Sequence, residues 1–98
     1  MEERIRYINL YDCYSELLTE KQREYFEEYY YNNLSLQEIS ELYNVSRNAA
    51  FKAIKDVNLK LDDFEKKLCI YGKKVEIKKV LDEAKNNKVK ERVLDILW

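Results

Sequence analysis

The sequence contains no histidine, no proline and a single glycine, Gly72. Without histidine, the commonest general base and the commonest metal ligand are missing. One glycine excludes the glycine-rich phosphate loops of nucleotide sites, which need several at fixed spacing. The two cysteines, Cys13 and Cys69, lie far apart, and two thiols without histidine make a poor zinc site; both read as reduced and buried. No metal, no cofactor and no catalytic constellation is expected, so the chain reads as a binding protein and not an enzyme. There is no signal peptide and no apolar run of about 18 residues, which predicts a soluble cytoplasmic protein without a membrane partner.

What the chain does have is charge, at 38% of its 98 residues, and few helix breakers. That combination predicts an all-α protein of one compact unit, burying somewhat over about 60% of its unfolded surface. The net charge of −1 conceals a split. Residues 1–45 hold four Lys/Arg against ten Asp/Glu, whereas residues 46–98 hold fourteen against nine. The basic second half can meet phosphate and the acidic first half cannot.

Periodicity divides the chain into helices. Tyr7, Leu10, Tyr14 and Leu17, widened by Ile8 and Tyr11, predict a first helix over 2–17 with a core-facing stripe. Thr19 and Gln22 form a capping box that opens a second helix to about Tyr31, with Tyr25, Phe26 and Tyr29 inward and Asn32-Asn33 as its stop. Ser35 and Glu38 form a second capping box, opening a third helix of about eight residues with Leu36, Ile39 and Leu42 or Tyr43 inward. Ser40 supplies the small residue at a helix–helix contact, and Asn44 the left-handed backbone of a tight turn. Val45 is expected to plug that turn into the core. Ser46 then caps a fourth helix. This is a helix-turn-helix pattern over residues 35–55.

No breaker follows before Gly72, so the fourth helix is predicted from Ser46 to Tyr71, about 39 Å long. Ile54, Val57, Leu61, Phe64, Leu68 and Tyr71 recur in steps of three and four, an a/d seam of about two and a half heptads. Such a seam packs either on the chain's own helices or on a second copy in a homodimer. A fifth helix is predicted over 74–86, burying Ile77, Val80, Leu81 and Ala84, and a sixth over 88–98. The domain reading is a helix-turn-helix unit over residues 1–72 and a C-terminal helical extension over 73–98. The chain closes on an apolar cluster, which docks on the body or a partner, or continues into further chain.

The first turns of the second helix in such a motif face base edges. Here that surface comprises Ser46, Arg47, Asn48, Phe51, Lys52 and Lys55. Arg47 can pair guanine or phosphate, and Asn48 can bind adenine through both its donor and its acceptor. Lys52 and Lys55 suit phosphates, which position a protein without specifying sequence. Phe51 can touch a thymine methyl, anchor a protein partner, or pack on the C-terminal helices. Ala50, Ala53 and Ile54 turn inward.

Three stretches carry a family resemblance: Leu17-Leu-Thr-Glu-Lys-Gln-Arg-Glu-Tyr25, Tyr29-Tyr-Tyr-Asn-Asn-Leu-Ser-Leu-Gln-Glu-Ile39 and Asn44-Val-Ser-Arg-Asn-Ala49. Over about residues 4–72 the chain resembles the YlxM family of small bacterial helix-turn-helix proteins and, more distantly, region 4 of sigma-70 factors. The resemblance implies an all-α fold with a three-helix core lacking a wing and a long recognition helix. It also implies cytoplasmic regulators, in Gram-positive bacteria and mollicutes, whose genes neighbour those of the signal recognition particle GTPase or its receptor. The implied partners are DNA or the signal recognition particle RNA, and that GTPase. Asn48 stands where the family usually has Gln, and Ala50-Phe51-Lys52 where it usually has Val-Tyr-Asp. Lys52 in place of an acid makes this face more basic than is usual.

Overall fold

The computed structural model describes residues 2–98. Six α-helices appear in order: α1 (Glu2–Tyr14), α2 (Glu20–Tyr30), α3 (Leu36–Tyr43), α4 (Arg47–Leu68), α5 (Ile70–Asp82) and α6 (Asn87–Leu97). There is no strand among the described residues.

Both capping boxes form. The Gln22 N–H donates to Thr19 Oγ1 at 3.1 Å while the Thr19 N–H donates to Gln22 Oε1 at 2.9 Å. Ser35 and Glu38 repeat the arrangement at 3.1 and 3.0 Å. Each cap satisfies backbone donors that a helix start otherwise leaves bare, and contributes about 1 kcal/mol. Asn44 adopts φ 54°, ψ 49°, the left-handed conformation the turn requires, and the Val45 N–H closes it on the Ser40 carbonyl at 2.9 Å.

α1, α2, α3 and α4 surround one core, whose most enclosed large side chains are Tyr14, Phe26, Leu10, Ile39, Leu61 and Val57. Aromatic rings dominate it. Tyr11 stacks on Phe26 at 4.1 Å between centroids, and Phe26 meets Tyr30 at 4.4 Å. Four of the five buried tyrosines in the core bring their hydroxyl to a partner. Tyr7 donates to Asp62 at 2.8 Å, Tyr11 to Glu27 and Tyr14 to Glu65, and Tyr30 accepts from Asn58 at 2.8 Å. Burial, then the carboxylate each one faces, pushes Tyr7 and Tyr14 up to about 12 and Tyr11 higher still.

Several expectations require correction. α1 stops at Tyr14, and a short 3-10 turn over Ser15–Leu17 resets the register, so Leu18 is buried and Leu17 faces solvent. In α2, Tyr30 takes the fully buried place and Tyr29 is only half-covered. Leu42 and Val45 stand out from the surface instead of filling the turn. Tyr43 does that work by packing on Tyr25 at 4.6 Å.

α4 is 22 residues long, about 33 Å, and ends three residues before Tyr71. Cys69 ends it in the left-handed conformation, φ 53°, a strain of about 1–2 kcal/mol for a residue with a Cβ. The Glu65 carboxylate and the Tyr14 hydroxyl compensate. Glu65 accepts from the Tyr71 and Gly72 N–H groups at 3.1 and 2.9 Å, and Tyr14 from the Ile70 N–H at 3.0 Å. α5 therefore begins at Ile70, before Gly72 and not after it. A Cβ at Gly72 would lie 3.3 Å from Glu65 Oε2, so the glycine makes room for the cap. Cys69 itself is exposed, contrary to the expectation of two buried thiols.

The seam is intramolecular. Ile54, Val57 and Leu61 are buried in the chain's own core, and Phe64 packs on Tyr14 at 5.9 Å. Ile54, Val57 and Leu61 are therefore not free to form the homodimer seam considered from the sequence; Phe64 is partly covered and Leu68 is exposed. Asp62 fastens α4 to α1 by accepting from Arg6 and Tyr7.

α5 and α6 contain no buried residue. Ile77, Val80 and Ala84, expected in the core, are exposed, and Leu81 is half-covered. The hairpin projects beyond the four-helix body: the radius of gyration is 16.6 Å, against about 13 Å for a compact chain of this length, and the long dimension is 54 Å.

Candidate nucleic-acid interface

The α3–turn–α4 unit presents the start of α4 to solvent. Ser46 caps it, its Oγ accepting from the Ala49 N–H at 3.0 Å. Ala50 is fully buried and Ile54 nearly so, and these two fix the rotation of α4 about its axis. Ser46, Arg47, Asn48, Phe51, Lys52 and Lys55 consequently all stand exposed on one face. The structure brings together every residue singled out from the sequence for this surface.

The electrostatics of this end favour an anion. The first turn of α4 has no acidic residue. A helix start carries roughly half a positive charge on its free N–H groups. Arg47, Lys52 and Lys55 add three cations, none paired with a carboxylate among the described residues. The nearest acids along α3 are engaged locally: Glu38 in the capping box and Glu41 with Gln37 at 3.0 Å. The hydrogen bonds from Ser35 also hold the Glu38 carboxyl below its usual range.

The same face of α4 continues into an open groove of about 540 Å³. Phe51, Lys55, Asn58 and Leu59 form one wall, Glu3, Arg4 and Tyr7 of α1 another, and Tyr29, Tyr30 and Leu36 the rest. Phe51, 53% exposed, belongs to this groove and not to a contact with the C-terminal helices, which join at the other end of α4. Asn58 gives its amide N–H to Tyr30, but its carbonyl oxygen is buried without a partner.

Arg4 is the residue that sequence reasoning missed. Its guanidinium donates to the Tyr29 and Tyr30 carbonyls at 3.2 and 2.6 Å and lies over the Tyr30 ring at 5.1 Å. It thereby caps the end of α2 and shapes the groove wall. No periodicity flags a cation at position 4 as the partner of carbonyls some 25 residues away.

Among the described residues there is no group of three potential metal ligands, and no helix is long and apolar enough to cross a membrane.

Comparison with known sequences agrees with this architecture. A family profile described as "Putative helix-turn-helix protein, YlxM / p13 like" matches residues 1–96. A UPF0122 protein of Fusobacterium nucleatum is 41% identical over 97 residues, covering 99% of this chain and 94% of the relative. Another, of Oceanobacillus iheyensis, is 48% identical over 82 residues, covering 84% and 76%. A third, of Clostridium novyi, is 47% identical over 97 residues, covering 90% and 84%.

Proposed function

The chain belongs to this YlxM / p13-like helix-turn-helix family, and on that premise we propose that it is a cytoplasmic regulator that binds nucleic acid through the first turns of α4. The observation that carries the reading is the unpaired basic face of Arg47, Lys52 and Lys55 at a helix start whose orientation is fixed by Ala50 and Ile54. Arg47 and Asn48 reach base edges, while Lys52 and Lys55 hold phosphates. Regulation here means occupancy: a bound helix blocks or recruits, and no bond is made or broken. The resemblance supports the signal recognition particle pathway as the setting, with DNA or the particle's RNA as ligand.

The groove favours a second reading. Phe51 and Leu59 are exposed two turns apart on α4, with Lys55 between them and Glu3 opposite. This mixed apolar and charged surface suits a protein, and the targeting GTPase is the partner this reading names. Salt separates the two. Nucleic-acid affinity falls with a slope of about −0.9 per phosphate neutralised on duplex DNA, whereas an apolar protein contact changes little.

The test is fluorescence anisotropy with labelled duplex DNA and with signal recognition particle RNA at two salt concentrations. Binding that weakens steeply with salt supports the first reading. Absence of binding at low salt removes it and leaves the GTPase.

A further inference from the structure

The α5–α6 hairpin carries apolar surface that the rest of the chain covers only in part. Among the described residues, eight of the fifteen large apolar side chains that stand exposed lie from Leu68 to Trp98. On α5 the open stripe runs through Ile70, Ile77 and Val80, beside a shallow depression of about 330 Å³ bordered by Lys73 and Glu76. Val80 is 63% exposed. Soluble monomers seldom leave contiguous patches of this kind open.

The charges beside the stripe decide what fits it. Lys74 and Lys78 are drawn to the Trp98 ring, at 5.5 and 6.0 Å from its centre. Lys73, Glu76 and Glu83 are the charges that helical spacing sets along the open side. All three are exposed, and none is in an ion pair among the described residues. Lys73 with Glu76 and Glu83 gives the open side charges of both signs, which suits a surface that also carries both signs better than one of uniform charge. A second α5 running antiparallel would meet complementary groups. A two-fold axis passing midway between Ile77 and Val80 sets Ile77 of one chain against Val80 of the other. It also brings Lys73 within one helical turn of Glu83 of the second copy. The symmetry repeats both relations, as a self-complementary contact requires.

We propose that the open face of α5 pairs with the same face of a second copy of this chain, in an antiparallel two-fold contact. The pairing moves dimerisation away from the α4 seam, whose first members are consumed by the core, to a helix whose apolar stripe is open. It leaves the start of α4 open in both copies, so one particle presents two such surfaces, as helix-turn-helix dimers do on two half-sites.

Sedimentation velocity of the full chain over a concentration series tests this. The wild type is expected to show a concentration-dependent dimer. Val80→Asp is expected to remain helical, since the side chain is exposed in the single chain, and to weaken association by at least about tenfold, or about 1.4 kcal/mol. Lys73→Glu and Glu83→Lys should each weaken it, and the double variant should recover most of the loss. A wild type that stays monomeric across the series overturns the pairing, as does a dimer that Val80→Asp leaves intact. Charge-reversed singles that the double variant fails to rescue overturn the antiparallel register. None of these readouts depends on nucleic-acid binding.

Discussion

Helices α1–α4 and the hairpin α5–α6 draw on the same materials, apolar residues at helical spacing among lysines and glutamates, yet the first set builds a core and the second does not. The difference lies in what each stripe can meet. In the body, four amphipathic helices converge, and the aromatic rings of α1 and α2 fill the space between them while their hydroxyls reach carboxylates on α2 and α4. The hairpin has only the end of α1 and α4 to lean on, and two helices side by side cannot enclose a stripe on each. Amphipathic pattern therefore predicts a helix in both places but burial in only one.

The sharpest way to break this contrast is an acid placed in each stripe. Leu61→Asp puts a charge in a fully buried site, and a loss above about 4 kcal/mol is expected, a large part of the stability of a small domain. Circular dichroism should show an unfolded chain. Val89→Asp, the matching change in the hairpin at an exposed α6 site outside the proposed α5 contact, should leave the melting curve nearly unchanged. Equal loss in both would mean that the hairpin is as integral as the body.

Function should divide the same way. Arg47→Glu removes a cation and places an acid at the start of α4; nucleic-acid binding should be abolished while the thermal midpoint stays put, since the side chain is exposed. Unchanged affinity would remove α4 from the interface. The junction between the two regions comes next. Tyr14→Phe deletes the hydroxyl that accepts from the Ile70 N–H and donates to Glu65, and should cost about 1–3 kcal/mol. Faster hydrogen exchange at Ile70 should accompany it. Ser46→Ala, which removes only the α4 cap, should cost about 1 kcal/mol in chemical denaturation.

A final contrast is a pH dependence seated in the body. Tyr7 and Tyr14 are raised from 10.0 to about 12, first by burial and then by the carboxylate each one faces. A raised folded value means their contribution is complete below pH 10 and is lost as pH rises through 12. Denaturant midpoints should be flat to the lower limit and fall across that window, and Tyr14→Phe should shallow the fall.

Much of the body was legible in the sequence because its signals are local. Thr19 with Gln22, Ser35 with Glu38, Asn44 and Ser46 each act within a few residues, and each helix start and the turn fall where those residues predict. The rotation of α4 was also legible, since Ala50 and Ile54 can only point inward if Arg47, Asn48 and Lys52 point out. The α4–α5 corner was not legible. Gly72 reads as a stop, but the chain turns at Cys69, held there by Glu65 and by Tyr14 from across the core. Arg4 escaped for the same reason: its partners are the carbonyls that end α2. The α4 seam repeats evenly, and only the converging body shows that its first three members are enclosed while Leu68 is open.

The most direct test of the central claim is a backbone amide spectrum of the isotope-labelled protein, recorded with and without duplex DNA or signal recognition particle RNA. Large shift changes at 46–55, with the amides of 73–98 little affected, are the predicted result. Changes confined to the hairpin, with 46–55 unmoved, would contradict the assignment of the start of α4 as the nucleic-acid face.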